Sequence, residues 1–270
     1  MQNALNIKPI PFETSTPVYY QWHFEELKLR GFLLTSNIGM NSWFEDQYDS
    51  ANTRANTIFD PDRHGLSLPY DIFMERTGID PNEYWWQLSA AAVKDACGLL
   101  EVFLEEAAHE VLGSRGSGLL KMRTEESWHW NACAGFYEDY LGLQVKPAEI
   151  ADVIWMRNKL THLRDELRTR EGLNEFHERS ERLGISHSPT PEELALGLVP
   201  HEPYAVRGVH LTQIQTWRVL EIVRSHVDAL GLALHGFVYG SLTSEPLEAV
   251  AAGTPVDTPN FKSRDIQRRD

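Results

Sequence analysis

The chain has 270 residues, of which 42% are hydrophobic and 24% charged, with a formal net charge of −14 at pH 7. Such a composition is typical of a globular protein, and its negative charge argues against a general nucleic-acid coat. Cys97 and Cys133, its two cysteines, are far apart and indicate no disulfide framework. No signal-peptide pattern and no apolar run of membrane-spanning length is apparent, so we expect a cytoplasmic protein without a membrane partner.

The first part of the chain predicts two helices separated by a polar loop. Residues 1–17 contain three prolines and are predicted to be irregular. Mixed three- and four-residue spacing of apolar side chains predicts a helix over residues 18–38. A loop is expected over residues 50–70, followed by a short helix that ends at Gly78.

The clearest helical pattern begins at Asp80. This residue is a plausible N-cap, Pro81 suits the first helical position, and Gly113 suits the end of the helix. Six apolar residues recur at helical spacing within it: Leu88, Ala92, Leu99, Phe103, Ala107 and Val111.

The second half of the chain predicts three more helical stretches. One runs from Thr124 to the vicinity of Gly142, and a longer one covers residues 146–184, with Gly172 as a point of interruption. Four prolines in residues 185–209 predict a long loop. A final helix is expected over residues 211–237.

These patterns predict an all-α fold, an antiparallel bundle of long helices, because no segment has the alternating pattern of a strand. We divide the chain into an N-terminal helical extension (1–79), a helical bundle (80–240) that includes the loop at 185–209, and a tail (241–270) expected to be disordered.

Within the stretch at 146–184 lies the sequence RNKLTH, residues 157–162. On a helical wheel, Asn158 and His162 are one turn apart and face away from the apolar stripe, and Arg157 lies on the border. The stripe predicted to face the core consists of Val153, Met156, Leu160, Leu163 and Leu167.

Trp155 falls beside His162 on the same wheel, and Ala148 and Ala151 share that side. A helix with a second aromatic and alanine strip behind its core stripe is expected to pack on both sides. The second neighbour can be another helix of the same chain or a second copy of the protein.

RNKLTH resembles the signature of the HEPN superfamily, an arginine followed by a polar residue and then by a histidine, with four to six residues between arginine and histidine. Arg157, Asn158 and His162 match these three positions. The resemblance covers roughly residues 80–237. Many HEPN proteins resemble metal-independent ribonucleases that act as toxins of toxin–antitoxin pairs or in phage defence.

The resemblance implies catalytic roles for these three residues without a metal or another cofactor. His162 would act as general acid or base, Arg157 would hold the phosphate, and Asn158 would orient the imidazole or donate to the phosphate. RNA would be the substrate, since the ribose 2′-OH is the nucleophile. It also implies a homodimer through the helix carrying Trp155 and His162, and an antitoxin or regulatory partner.

Other interpretations remain open. Arg157 and His162 can be ordinary surface residues paired with Asp165 or Glu166, and the chain can be a HEPN-like binding module without catalysis. Glu101 and Glu105 can pair with Arg157, either to assist the site or as a surface pair.

A di-metal helical bundle is the alternative from another enzyme class. Two E-x-x-H sequences, Glu106–His109 and Glu126–His129, resemble part of the ligand set of carboxylate-bridged di-iron bundles. They lie on consecutive predicted helices, whereas the usual arrangement places a glutamate-bearing helix between them.

Overall fold

The computed structural model describes residues 7–115, 134–161, 169–198 and 211–239. Within these ranges the chain is helical, without strands, and the helices pack against one another. The predicted all-α bundle is therefore confirmed. The predicted tail at 241–270 lies outside the described residues.

The helices differ widely in length, and three long ones dominate the fold. A short 3-10 turn precedes the first α-helix of the described chain, and a π-helical segment precedes the fourth α-helix. In chain order the elements are the 3-10 turn (Phe12–Thr14), α1 (Pro17–Ile58), α2 (Leu68–Thr77), α3 (Pro81–Arg115), the π-helical segment (Phe136–Leu141), α4 (Ala148–Thr161), α5 (Arg170–Arg182), α6 (Pro191–Ala195) and α7 (Gln213–Tyr239).

The predicted junction between α2 and α3 is formed by local caps. Gly78 adopts a left-handed conformation with φ of 63°, and its N–H donates to the carbonyl of Met74, which ends α2. The Asp80 side chain then accepts a hydrogen bond from the Asn82 N–H at 2.8 Å, and α3 begins at Pro81. However, α3 continues past Gly113, the predicted end.

Local signals also separate α4 from α5. The hydroxyl of Thr169 accepts a hydrogen bond from the N–H of Gly172 at 3.1 Å and caps the start of α5. The interruption predicted near Gly172 is thus confirmed, and it lies at Thr169, three residues before Gly172. Gly142, at φ of 66°, ends the π-helical segment as expected.

Two predicted loops contain helix. α1 continues to Ile58, through the predicted loop start at residue 50, because Ala51 and Ala55 are buried on its inner face. In the loop predicted at 185–209, Thr190 forms a capping box with Glu193 and starts the short α6. Residues 199–209 of that loop lie outside the described ranges.

The core forms where α1, α3 and α7 pack together. α1 is antiparallel to α7, since Tyr19 at the start of α1 donates to Asp228 in the second half of α7. Asn37, in the middle of α1, accepts a hydrogen bond from Gln213 at the start of α7. Tyr19 and Trp22 belong to the same buried cluster as side chains of α3, α4 and α7. The N-terminal helix thus contributes to the bundle core, while the domain boundary at residue 79 stays a prediction.

Charged side chains are buried between α1 and α7. Arg30 is fully buried, forms an ion pair with Glu26 one turn earlier, and reaches Glu221 of α7 at 2.6 Å. Its guanidinium also lies 4.4 Å from the ring centroid of Trp217. Burial raises the pKa of Glu26, although Arg30 acts in the opposite direction. These pairs fix the register of α1 against α7.

An ion-pair network connects α4 to α5. Asp152 of α4 is 7% exposed and accepts hydrogen bonds from Arg179 and Arg182 of α5. Burial opposes ionisation of Asp152, but the bonds from Arg182 and Arg179 outweigh it and lower the pKa of its carboxyl. This network holds α5 across the first half of α4, the helix that carries RNKLTH.

None of the helices in the described part of the chain has an apolar stretch long enough to cross a membrane.

Candidate functional site

α4 is oriented by its apolar stripe. Val153, Met156 and Leu160 are buried in the core, as the wheel predicted. Leu163 and Leu167, the other two members of the stripe, lie outside the described residues. This orientation leaves Asn158 exposed and Arg157 at the edge of the core.

The guanidinium of Arg157 is held by two helices. Its Nη2 donates to Oε1 of Glu101 on α3, and its Nη1 donates to Oδ1 of the adjacent Asn158 at 3.1 Å. The Arg157 side chain is 25% exposed and that of Glu101 is 42% exposed. Arg157 is therefore fixed at the surface, with its charge partly balanced by the carboxylate.

The thiol of Cys97 lies beneath this pair, one turn before Glu101 on α3. Cys97 is buried, and burial raises the pKa of its thiol to about 12, while a hydrogen bond and the positive charge of Arg157 act in the opposite direction. A thiol with this pKa is neutral and is a weak nucleophile near pH 7. Cys97 therefore serves here as a buried packing group beneath Arg157.

Asn158 presents amide donors at the exposed surface of α4. Its Oδ1 accepts from Arg157, so the amide N–H groups are the part left to reach outward. Thr161 donates its hydroxyl to the Arg157 carbonyl at 2.8 Å, one turn further along the exposed side. The two roles predicted for Asn158, orientation of the imidazole and donation to the phosphate, stay predictions, and His162 lies outside the described residues.

The structure brings together two of the three predicted site residues, Arg157 and Asn158. His162 lies outside the described residues, as do Asp165 and Glu166, the carboxylates weighed as surface partners. Glu101 is the additional residue that the geometry places at the site. The sequence indicated only that Glu101 is a carboxylate on the predicted helix and could pair with Arg157, and it indicated the same for Glu105.

The face of α4 around Trp155 packs against α5 of the same chain. The Trp155 ring lies 6.2 Å from that of Phe176, and the Arg179 guanidinium lies 4.5 Å from its centroid. Ala151 is half-buried, while Ala148 is exposed. The second neighbour of α4 was expected to be a helix of the same chain or a second copy of the protein, and at Trp155 it is α5 of the same chain.

Metal ligation has no support among the described residues, which contain no group of three His, Cys, Asp or Glu side chains arranged to hold an ion. Glu106 and His109 lie on α3. Their expected counterparts, Glu126 and His129, lie outside the described ranges, so the di-metal interpretation stays a prediction.

No protein-family model matches the chain, and neither a curated protein nor a solved structure matches it.

Proposed function

We propose that the protein is a metal-independent endoribonuclease of the HEPN type, acting in the cytoplasm in a toxin–antitoxin or phage-defence role. The observation that supports this most is the placement of Arg157 and Asn158. Both side chains meet at the surface of α4, with the guanidinium anchored and the amide exposed. An anchored arginine beside a free amide donor suits the binding of a phosphodiester.

In the proposed reaction the ribose 2′-OH attacks the adjacent phosphorus. One histidine of the site accepts the proton of the 2′-OH as the P–O2′ bond forms, and a second one donates a proton to the leaving 5′-oxygen as the P–O5′ bond breaks. Arg157 balances the charge that grows on the non-bridging oxygens, and Asn158 donates to the same phosphate. The products are a 2′,3′-cyclic phosphate and a 5′-hydroxyl, and no metal or redox partner is consumed.

Two histidines require two copies of RNKLTH, so we propose a homodimer whose α4 helices meet near their shared sites. Because Trp155 is covered by α5, contact would involve the exposed side that carries Asn158 and Thr161. An antitoxin or regulatory protein is the further partner we propose.

The second candidate is a HEPN-like module that binds a partner or nucleotide without catalysis. The ion pair between Arg157 and Glu101 favours the partner-binding form of this module, because a carboxylate that neutralises the guanidinium weakens its attraction for the phosphate of RNA or of a nucleotide. The two candidates differ in whether His162 is needed for an effect on RNA.

Expression of wild type, His162→Ala and His177→Ala in bacteria separates these candidates. His177 is a matched control, since it is a 70% exposed histidine on α5 that contacts Glu181. Wild type and His177→Ala should arrest growth and fragment total RNA, and His162→Ala should do neither. Equal RNA integrity in all three cultures would reject the nuclease and favour the binding module.

A further inference from the structure

We propose that Glu101 is a positioning residue that orients the guanidinium of Arg157 toward the phosphate, a role that rests on the ribonuclease function proposed above. Glu101 lies on α3, outside the RNKLTH sequence. Glu101 acts through Arg157 and is not itself assigned a contact with RNA.

The first support is that three contacts from two helices fix one guanidinium. Cys97 and Glu101 are one turn apart on α3 and both face Arg157, while Asn158 contacts it from α4. Cys97 is 1% exposed, so it closes the inner side of the guanidinium. The Arg157 side chain is nevertheless 25% exposed, so part of it remains accessible from solvent.

The second support is the number of donors. A guanidinium has five N–H donors in one plane. Glu101 and Asn158 take one each and Cys97 lies nearby, which leaves at least two for a phosphate. Because both terminal nitrogens of this planar group are held, its remaining N–H groups have fixed directions, and such pre-orientation supports catalysis.

The third support is that the ion pair between Glu101 and Arg157 contributes little to the stability of the fold. An ion pair between side chains that are 42% and 25% exposed contributes about 0–1 kcal/mol to folding. Glu105, one turn further along α3, is exposed and forms no ion pair or hydrogen bond with any described residue. Glu105 therefore provides a matched control for the loss of one carboxylate from this helix.

The test compares wild type, Glu101→Gln, Glu101→Ala and Glu105→Ala. The substrate is a fluorescent RNA oligonucleotide that spans a cleavage site mapped on total RNA, and kcat and KM are measured separately. Melting temperatures are recorded for all four proteins, and they should agree, because the pair is too exposed to decide stability.

We expect Glu101→Ala to lower kcat about 10- to 100-fold, since a misplaced catalytic group has an effect of this order. Its KM should stay equal or fall, because a negative charge is removed beside the phosphate site. Glu101→Gln should restore kcat to within a few-fold of wild type, since an amide oxygen still accepts from Arg157. Glu105→Ala should match wild type.

Three results would overturn this role for Glu101. An inactive Glu101→Gln would indicate that the carboxylate transfers a proton, and a higher kcat in Glu101→Ala would indicate that Glu101 blocks Arg157. Unchanged kinetics in both variants would make the ion pair incidental. In each case, RNA cleavage by wild type that is lost in His162→Ala would leave the proposed ribonuclease function intact. Absence of RNA cleavage by wild type would instead reject that function itself.

Discussion

The guanidinium of Arg179 lies against the Trp155 ring, 4.5 Å from its centroid, while its Nη1 donates to Asp152 one turn earlier on α4. One arginine of α5 thus binds both the aromatic and the acidic side chain of the neighbouring helix. This contact covers Trp155, whereas Ala148 of the same strip stays exposed. The helix that carries Arg157 is therefore fixed on two sides within a single chain.

Asp152→Asn should lower the free energy of unfolding by about 1.5–3 kcal/mol at pH 7, since hydrogen bonds to a charged group are lost. The pKa of Asp152 in the folded state lies below its ordinary value of 3.8. Its contribution is therefore present above that value and is lost as the pH falls through the folded-state pKa. Urea unfolding at several pH values checks this.

The exposed Asp46→Asn on α1 provides the control and should change little at any pH. A wild-type advantage over Asp152→Asn that persists undiminished at pH 2 would show that the carboxylate charge is not the source of the effect.

Arg30→Ala should be the most destabilising single change at the interface of α1 and α7. It leaves Glu26, 3% exposed, without its main partner, and loss of one member of a buried pair costs about 3–5 kcal/mol. Arg54→Ala, at an exposed position of the same helix, should stay within about 0.5 kcal/mol of wild type. Denaturant unfolding followed by circular dichroism measures both, and equal midpoints would contradict the assigned role of Arg30.

The same substitution is expected to have opposite effects at two glycines of α7. A Cβ at Gly231 would lie 2.7 Å from Cδ2 of Tyr19, so Gly231→Ala should cost about 1–3 kcal/mol. A Cβ at Gly236 meets nothing within 4 Å, so Gly236→Ala should stabilise by up to about 1 kcal/mol. Thermal unfolding distinguishes the two, and a Gly231→Ala variant as stable as wild type would show that α1 and α7 are not so close.

Arg218 holds the chain between α5 and α6 onto α7. It donates to the carbonyls of Ile185, His187 and Ser188 and forms a two-point ion pair with Glu193. Arg218→Ala should therefore speed proteolytic cleavage in residues 185–195, because local opening exposes the backbone. Limited proteolysis with peptide mapping tests this, and an unchanged cleavage rate would contradict it.

Boundaries set by local chemistry could be predicted from the sequence. Gly78 and Asp80 act through their own turn of the chain, so their effect is visible in a short window. The interruption predicted near Gly172 is equally local, although the capping residue is Thr169. The capping box at Thr190 was equally local and was missed within a proline-rich stretch.

Features that depend on distant partners could not be predicted. The second half of α1 is polar, and its helix is stabilised by burial of Phe44 against Phe73 of α2. Arg30 is buried because Glu221, 191 residues away, meets it. At the site, periodicity predicted the exposure of Asn158, whereas the choice of Glu101 over Glu105 depends on how α3 and α4 are rotated against each other.

Cleavage of purified total RNA in the presence of EDTA, with analysis of the new RNA ends, tests the role of RNKLTH most directly. Wild type should produce 2′,3′-cyclic phosphate and 5′-hydroxyl ends, and His162→Ala should produce none although it unfolds at the same temperature. Cleavage that EDTA abolishes, or ends that appear equally with His162→Ala, would contradict the assignment of Arg157, Asn158 and His162 as a metal-independent catalytic set.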